Sequence, residues 1–154
     1  NSVLGMHHHA HFSQRGALLE DIIDEHAEDI ISKYDVRAES VHQPISSLSG
    51  GNQQKMVVAR ELDRAPKLLV ATHPDRGLDI AATKYIQGKI IEARDNGTAV
   101  LLVSTELDEI MELSDRILVI YEGQVMDILP HETATLEQLG LLMAGVKDAV
   151  GTKE

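Results

Sequence analysis

The sequence predicts an α/β fold in which a mostly parallel sheet is flanked by helices, with a helical subdomain ahead of it. Three observations predict it. Apolar runs at 67–71 ("KLLVA") and 98–103 ("TAVLLV") have the length and composition of buried strands. A helical stretch from about Ile80 to Arg94 lies between them. Residues 16–64 carry helical spacing instead of strand runs.

Composition sets the bounds within which that fold must work. At 154 residues and 43% hydrophobic, the chain can bury one core, and one Phe, three Tyr and no Trp make that core aliphatic. With 25 acids against 14 bases, the formal charge of -11 argues against nucleic acid as a partner, because phosphate contacts need a basic face. Zero cysteines exclude disulfides, thiolate metal sites and a cysteine nucleophile, and fit a reducing compartment. No apolar run reaches the roughly 18 to 20 residues of a membrane helix and no signal-peptide pattern opens the chain, so a cytoplasmic protein is expected.

Taken in order, "MHHHAHF" at 6–12 reads as a solvated loop, with an affinity-tag remnant as the other reading. His7, His8, His9 and His11 could gather a metal, but adjacent histidines on a flexible segment bind adventitiously more often than functionally. "GALLEDIIDEHAEDIISKYDV" at 16–36 predicts an amphipathic helix, with Leu18, Leu19, Ile22, Ile23, Ala27, Ile30, Ile31 and Tyr34 on one side. Its opposite, very acidic face is read as solvated surface. "RAESVHQPISS" reads as loop, since Pro44 biases Gln43 away from helical geometry.

"LSGGNQQKMVVARELDRAP" at 48–66 is the most informative stretch. Ser49 is placed to cap a helix whose apolar side holds Val57, Val58, Ala59 and Leu62 and which stops before Pro66. Gly50 and Gly51 permit close backbone approach, and the free amides of the first turn have the positive end of the helix dipole behind them. Such a turn suits phosphate; plain capping without a ligand is the competing reading.

"LSGGNQQK" resembles the signature motif of ABC transporter ATPases, in the form found in the C-terminal half of sugar and nucleoside importers with two fused ATPase halves. "PDRGLD" at 74–79 is similar to the family's Pro-Thr-Arg-Gly-Leu-Asp segment, with Asp75 in place of Thr and Asp79 closing the D-loop. "SDRILVIYEGQVMDI" resembles the family's last pair of strands, turning at Glu122-Gly123. The resemblance runs from about residue 10 to 130 and implies a fragment of a P-loop NTPase (ABC ATPase) domain. Residues 1–64 would form a helical subdomain with the signature, 65–130 the C-terminal part of the RecA-like core, and 131–154 a C-terminal helix and tail. "ATLEQLGLLMAG" at 134–145 supplies that helix, and the last eight or so residues are expected to be mobile.

The family's site then carries over residue by residue. It implies ATP and Mg2+ as cofactors of the complete dimer, a second ATPase half and membrane-spanning permease subunits as partners, and a peripheral position on the inner face of the cell membrane. Nucleotide-contacting positions would be Ser49, Gly50, Gly51, Asn52, Gln53 and Asp79. No Gly-x-x-x-x-Gly-Lys-Ser/Thr occurs and the family's Q-loop glutamine is not recognisable, so the chain reads as the C-terminal part of one ATPase half, inactive alone. Where the family places Asp-Glu at the end of its strand and a switch histidine after the next, this sequence has Thr72, His73 and Thr105. A hydroxyl supplies no charge to a metal, and an imidazole differs from Glu in reach and direction. The expectation is asymmetry: a signature that completes the partner's site beside a hydrolytically degenerate site of its own. Two other classes remain open, a non-catalytic module docking on membrane subunits through its acidic helix, and a metal site built on His7, His8, His9 and His73. A chain lacking its first strands would expose a sheet edge, through which it could self-associate.

Overall fold

In this computed structural model residues 1–147 are described. They fall into two compact units that divide between Leu101 and Leu102, inside a strand. This packing boundary is distinct from the motif-based boundaries near 64 and 130. The expectation for the last eight or so residues falls almost wholly on 148–154, outside the described residues.

In the first unit the chain opens with a series of turns and a small antiparallel hairpin, β1 (Ser13–Gln14) and β2 (Ala17–Leu18). Its two-residue loop, Arg15 and Gly16, has both φ angles positive (51° and 83°). Such a loop matches the twist of paired strands and stops a helix from starting at Gly16. The helix α1 therefore spans only Glu20–Lys33, later than the spacing predicted. The opening segment also differs from a fully solvated loop. Val3, Met6 and Phe12 are buried and pack with Ile22 and Ile23 of α1, while His7, His8, His9 and His11 stay exposed.

Helix α1 ends where Asp35 turns left-handed (φ 48°) and the Val36 amide reaches back to the Ile31 carbonyl at 3.0 Å. Helix α2 (Gly50–Asp63) then packs on α1 around Ile30, Tyr34, Val36, Met56 and Ala59. This cluster is aliphatic apart from Tyr34, and it is one of three hydrophobic clusters among the described residues where the composition predicts a single core. Helix α3 (Ile80–Asp95) buries Ala82, Ile86, Gln87 and Ile90 and closes at Gly97 (φ 94°), whose position brings the Thr98 amide to the Ala93 carbonyl at 3.0 Å.

Strands β3 (Leu68–Thr72) and β4 (Ala99–Val103) pair on either side of α3 in sequence. The Ala99 amide donates to the Lys67 carbonyl at 3.0 Å, so both strands start side by side and run parallel. This pair is the parallel element of the described residues; the other two strand pairs are antiparallel. Leu68 and Val70 are more than half exposed (57% and 56%), so the sheet face they share is apolar and uncovered.

The second unit, described by itself, holds α4 (Leu107–Leu113), the hairpin β5 (Arg116–Tyr121) and β6 (Gln124–Pro130), and α5 (Leu136–Met143). The hairpin turns at Glu122 and Gly123, both at positive φ (47° and 79°), as that dipeptide predicts. Ile117, Val119, Met126 and Leu129 face Leu139 and Leu142 of α5 in one core. Thr135 caps α5 by accepting from the Gln138 amide at 3.2 Å.

Candidate functional site

The turn that opens α2 is organised by side chains from its own motif. Ser49 occupies the N-cap position with extended backbone (φ -61°, ψ 154°), yet its hydroxyl makes no capping bond. Instead it accepts from the Asn52 side-chain amide at 3.0 Å, and Asn52 Oδ1 accepts from the Arg37 amide at 2.9 Å. Gln53 Nε2 donates to the Leu48 carbonyl at 2.8 Å. The expected cap is thus replaced by a brace. Asn52 and Gln53 are committed to holding the turn, and the amides of its first residues are left without a side-chain cap.

The two glycines do different work. A Cβ added to Gly50 would meet nothing within 4 Å, so the space before it is open. One added to Gly51 would lie 3.1 Å from the Ala82 Cβ, because here the first turns of α2 and α3 touch. Gly51 is therefore constrained by helix packing, since a side chain there needs Ala82 to give by a few tenths of an ångström, and Gly50 is not.

Between β3 and α3 the segment 74–79 is held at both ends. Gln54 Nε2 donates to the buried Pro74 carbonyl at 2.6 Å, and Gln87 Nε2 donates to Asp75 Oδ2 at 3.2 Å. Asp79 caps α3, accepting from the Ala82 amide at 2.8 Å. Its carboxylate, expected at the D-loop's end, serves the helix start. Gln54 and Gln87 were not legible as site residues, since their partners lie 20 and 12 positions away.

Lys55, the last residue of the motif, reaches the Asp35 carboxylate at 2.6 Å and lies 4.3 Å from the Tyr85 ring centroid. The Lys55 hydrogen bond, and then its charge, hold the Asp35 carboxyl below its ordinary 3.8. Tyr85 in turn donates to the Tyr34 carbonyl at 2.6 Å, tying α3 to the end of α1.

The end of β3 offers less. Thr72 is exposed and His73 half-buried, with His73 leaving the strand in the left-handed region (φ 45°) that histidine tolerates better than most residues. In the second unit Thr105 is exposed on the segment between β4 and α4, where Ser104 Oγ accepts from the Glu106 amide at 3.0 Å. Among the described residues no group of three or more His, Cys, Asp or Glu side chains could hold a metal ion, the N-terminal histidines and His73 included. The turn before α2 has no side-chain cap and opens onto free space at Gly50, an arrangement chemically suited to an anion.

The fold is that of part of an ABC-type P-loop ATPase domain. Among solved structures, the ATP-binding cassette MJ0796 in its dimeric form superposes with a TM-score of 0.62 at 23% identity, over 78% of this chain and 52% of that one. The cassette MJ1267 gives 0.62 at 20% identity, over 88% and 52%. In sequence the chain is similar to ATP-binding proteins of ABC importers for sugars and nucleosides. It is 47% identical to the nucleoside import ATP-binding protein NupA of Lactococcus lactis, over 94% of this chain and 29% of that protein. The guanosine import ATP-binding protein NupO of Bacillus subtilis is 46% identical, over 94% and 28%. The ribose import ATP-binding protein RbsA of Bacillus cereus is 40% identical, over 86% and 27%. The chain thus spans less than a third of the length of the curated relatives it matches. No protein-family model matches it. Among the described residues no helix is long and apolar enough to cross a membrane.

Proposed function

We propose that this chain is part of the ATP-binding subunit of an importer for simple sugars or nucleosides, and that its Ser49–Gly51 turn completes a nucleotide site held by a second ATPase half. The observation that carries this reading is the uncapped first turn of α2, exposed at Ser49 and Gly50 and open beyond Gly50. Its backbone amides and the helix dipole stabilise negative charge without any change in protonation. Bound ATP supplies the phosphoanhydride whose cleavage drives transport. The relatives named for nucleoside, guanosine and ribose import support the substrate class, and the MJ0796 cassette, solved as a dimer with ADP and Pi, supports the pairing of two halves.

The same reading makes the site at the end of β3 a weak or inactive one. Thr72 and His73 bring no carboxylate to a magnesium ion, and Thr105 stands where an imidazole is expected. Magnesium would then act in the complete dimer at the partner's site. Permease subunits and the cytoplasmic face of the membrane follow as partner and location from the import role.

Replacing Ser49→Ala together with Gly50→Asp in the full-length subunit should abolish ATP turnover. The asymmetry is wrong if Thr72→Ala or His73→Ala also stops it.

A further inference from the structure

Within the first unit, the segment 74–79 and the turn of α2 are linked by more than proximity. Proline has no N–H, so the buried Pro74 residue has only its carbonyl to satisfy, and Gln54 Nε2 meets it at 2.6 Å. Gln87 is almost fully buried in α3, at 6% exposure. Its Oε1 has no hydrogen-bond partner while its Nε2 donates to Asp75 at 3.2 Å. A buried amide that leaves its acceptor unused is destabilising, so an apolar side chain would serve the core better. The one return visible for that cost is the bond to Asp75. This aspartate stands where the resemblance expects a threonine.

We propose that Gln54, Asp75 and Gln87 are positioning residues that hold the 74–79 segment between α2, through Gln54, and α3, through the Gln87–Asp75 bond, so that this segment and the Ser49–Gly51 turn move as one piece. Contact between Gly51 and Ala82 closes the other end of the same link. The inference rests on the function proposed above, and its test separates the two.

Hydrogen exchange of the amides at 76–79 is measured in the full-length subunit, with ATP turnover alongside. Gln54→Met and Gln87→Met keep volume and remove the donor; Asp75→Ala removes the acceptor, whereas Asp75→Asn retains one. Exchange at 76–79 should rise about tenfold in the two Met variants and in Asp75→Ala, and stay within about twofold in Asp75→Asn. Turnover should fall about fivefold in kcat at unchanged KM, with Gln54→Met/Gln87→Met no slower than the worse single variant. Unchanged exchange, an effect on KM alone, or additive losses would overturn the lock. If Gly50→Asp leaves turnover unaffected, the proposed function fails, whatever the exchange shows. If Gly50→Asp abolishes turnover while exchange at 76–79 does not respond, the lock alone fails.

Discussion

The turn before α2 and the end of β3 lie in the same unit, and they keep their chemistry in different places. At Ser49–Gly51 the proposed site rests on backbone amides, with the side chains of Asn52 and Gln53 bracing the turn. At Thr72–His73 a metal-dependent site would rest on side chains, and under the proposed function a hydroxyl and an imidazole stand there in place of carboxylates. The strand and the turn after it still form, with the Arg76 amide closing on the His73 carbonyl at 3.3 Å. Under the proposed function, a charge-based site is lost there while its scaffold is kept. A site made of helix amides survives as long as the helix starts where it does.

The largest effect that can break this comparison is on turnover. Gly50→Asp should lower ATP hydrolysis by the full-length subunit at least about a hundredfold, since a carboxylate would stand where the proposed site takes phosphate. Thr72→Ala and His73→Ala, in the same assay, should stay within about twofold. Comparable losses at both places would erase the difference between the two regions.

A smaller effect separates the two glycines. Gly51→Ala forces a Cβ to 3.1 Å from Ala82 and should cost about 1–3 kcal/mol in urea unfolding. Gly50→Ala meets nothing and should be neutral or stabilise by up to about 1 kcal/mol, because alanine favours the helix. The smallest effect concerns pH. Lys55 holds the Asp35 carboxyl below its ordinary 3.8, so this pair stabilises the fold above that value and loses its contribution as pH falls through the lowered one. Lys55→Met should melt below wild type at neutral pH, by a margin that shrinks as the solution is acidified past 3.8.

Much of this was readable from local pattern. The period of 80–94, the two apolar runs and the Glu122-Gly123 turn became α3, the β3–β4 pair and the β5–β6 hairpin, because each is specified by neighbours a few residues apart. The start of α1 was misplaced since Leu18 and Leu19 continue the helical spacing, while the hairpin depends on the backbone angles of Arg15 and Gly16. Burial of Val3, Met6 and Phe12 has no period at all. In the candidate site the motif marked the Ser49–Gly51 turn, but not that the serine hydroxyl would engage Asn52 instead of capping. Nor did it show that Gly51 answers to Ala82, or that Gln54 reaches Pro74. Those are tertiary contacts between residues far apart in the chain.

The most direct test uses the absence of native cysteine from this chain. Ser49→Cys is paired with a single cysteine in the phosphate-binding loop of the opposing ATPase half, and disulfide formation is followed in the assembled importer with and without ATP. The account predicts a cross-link between the two halves that ATP strengthens. No cross-link in any nucleotide state, with both cysteines reactive and accessible, would contradict it.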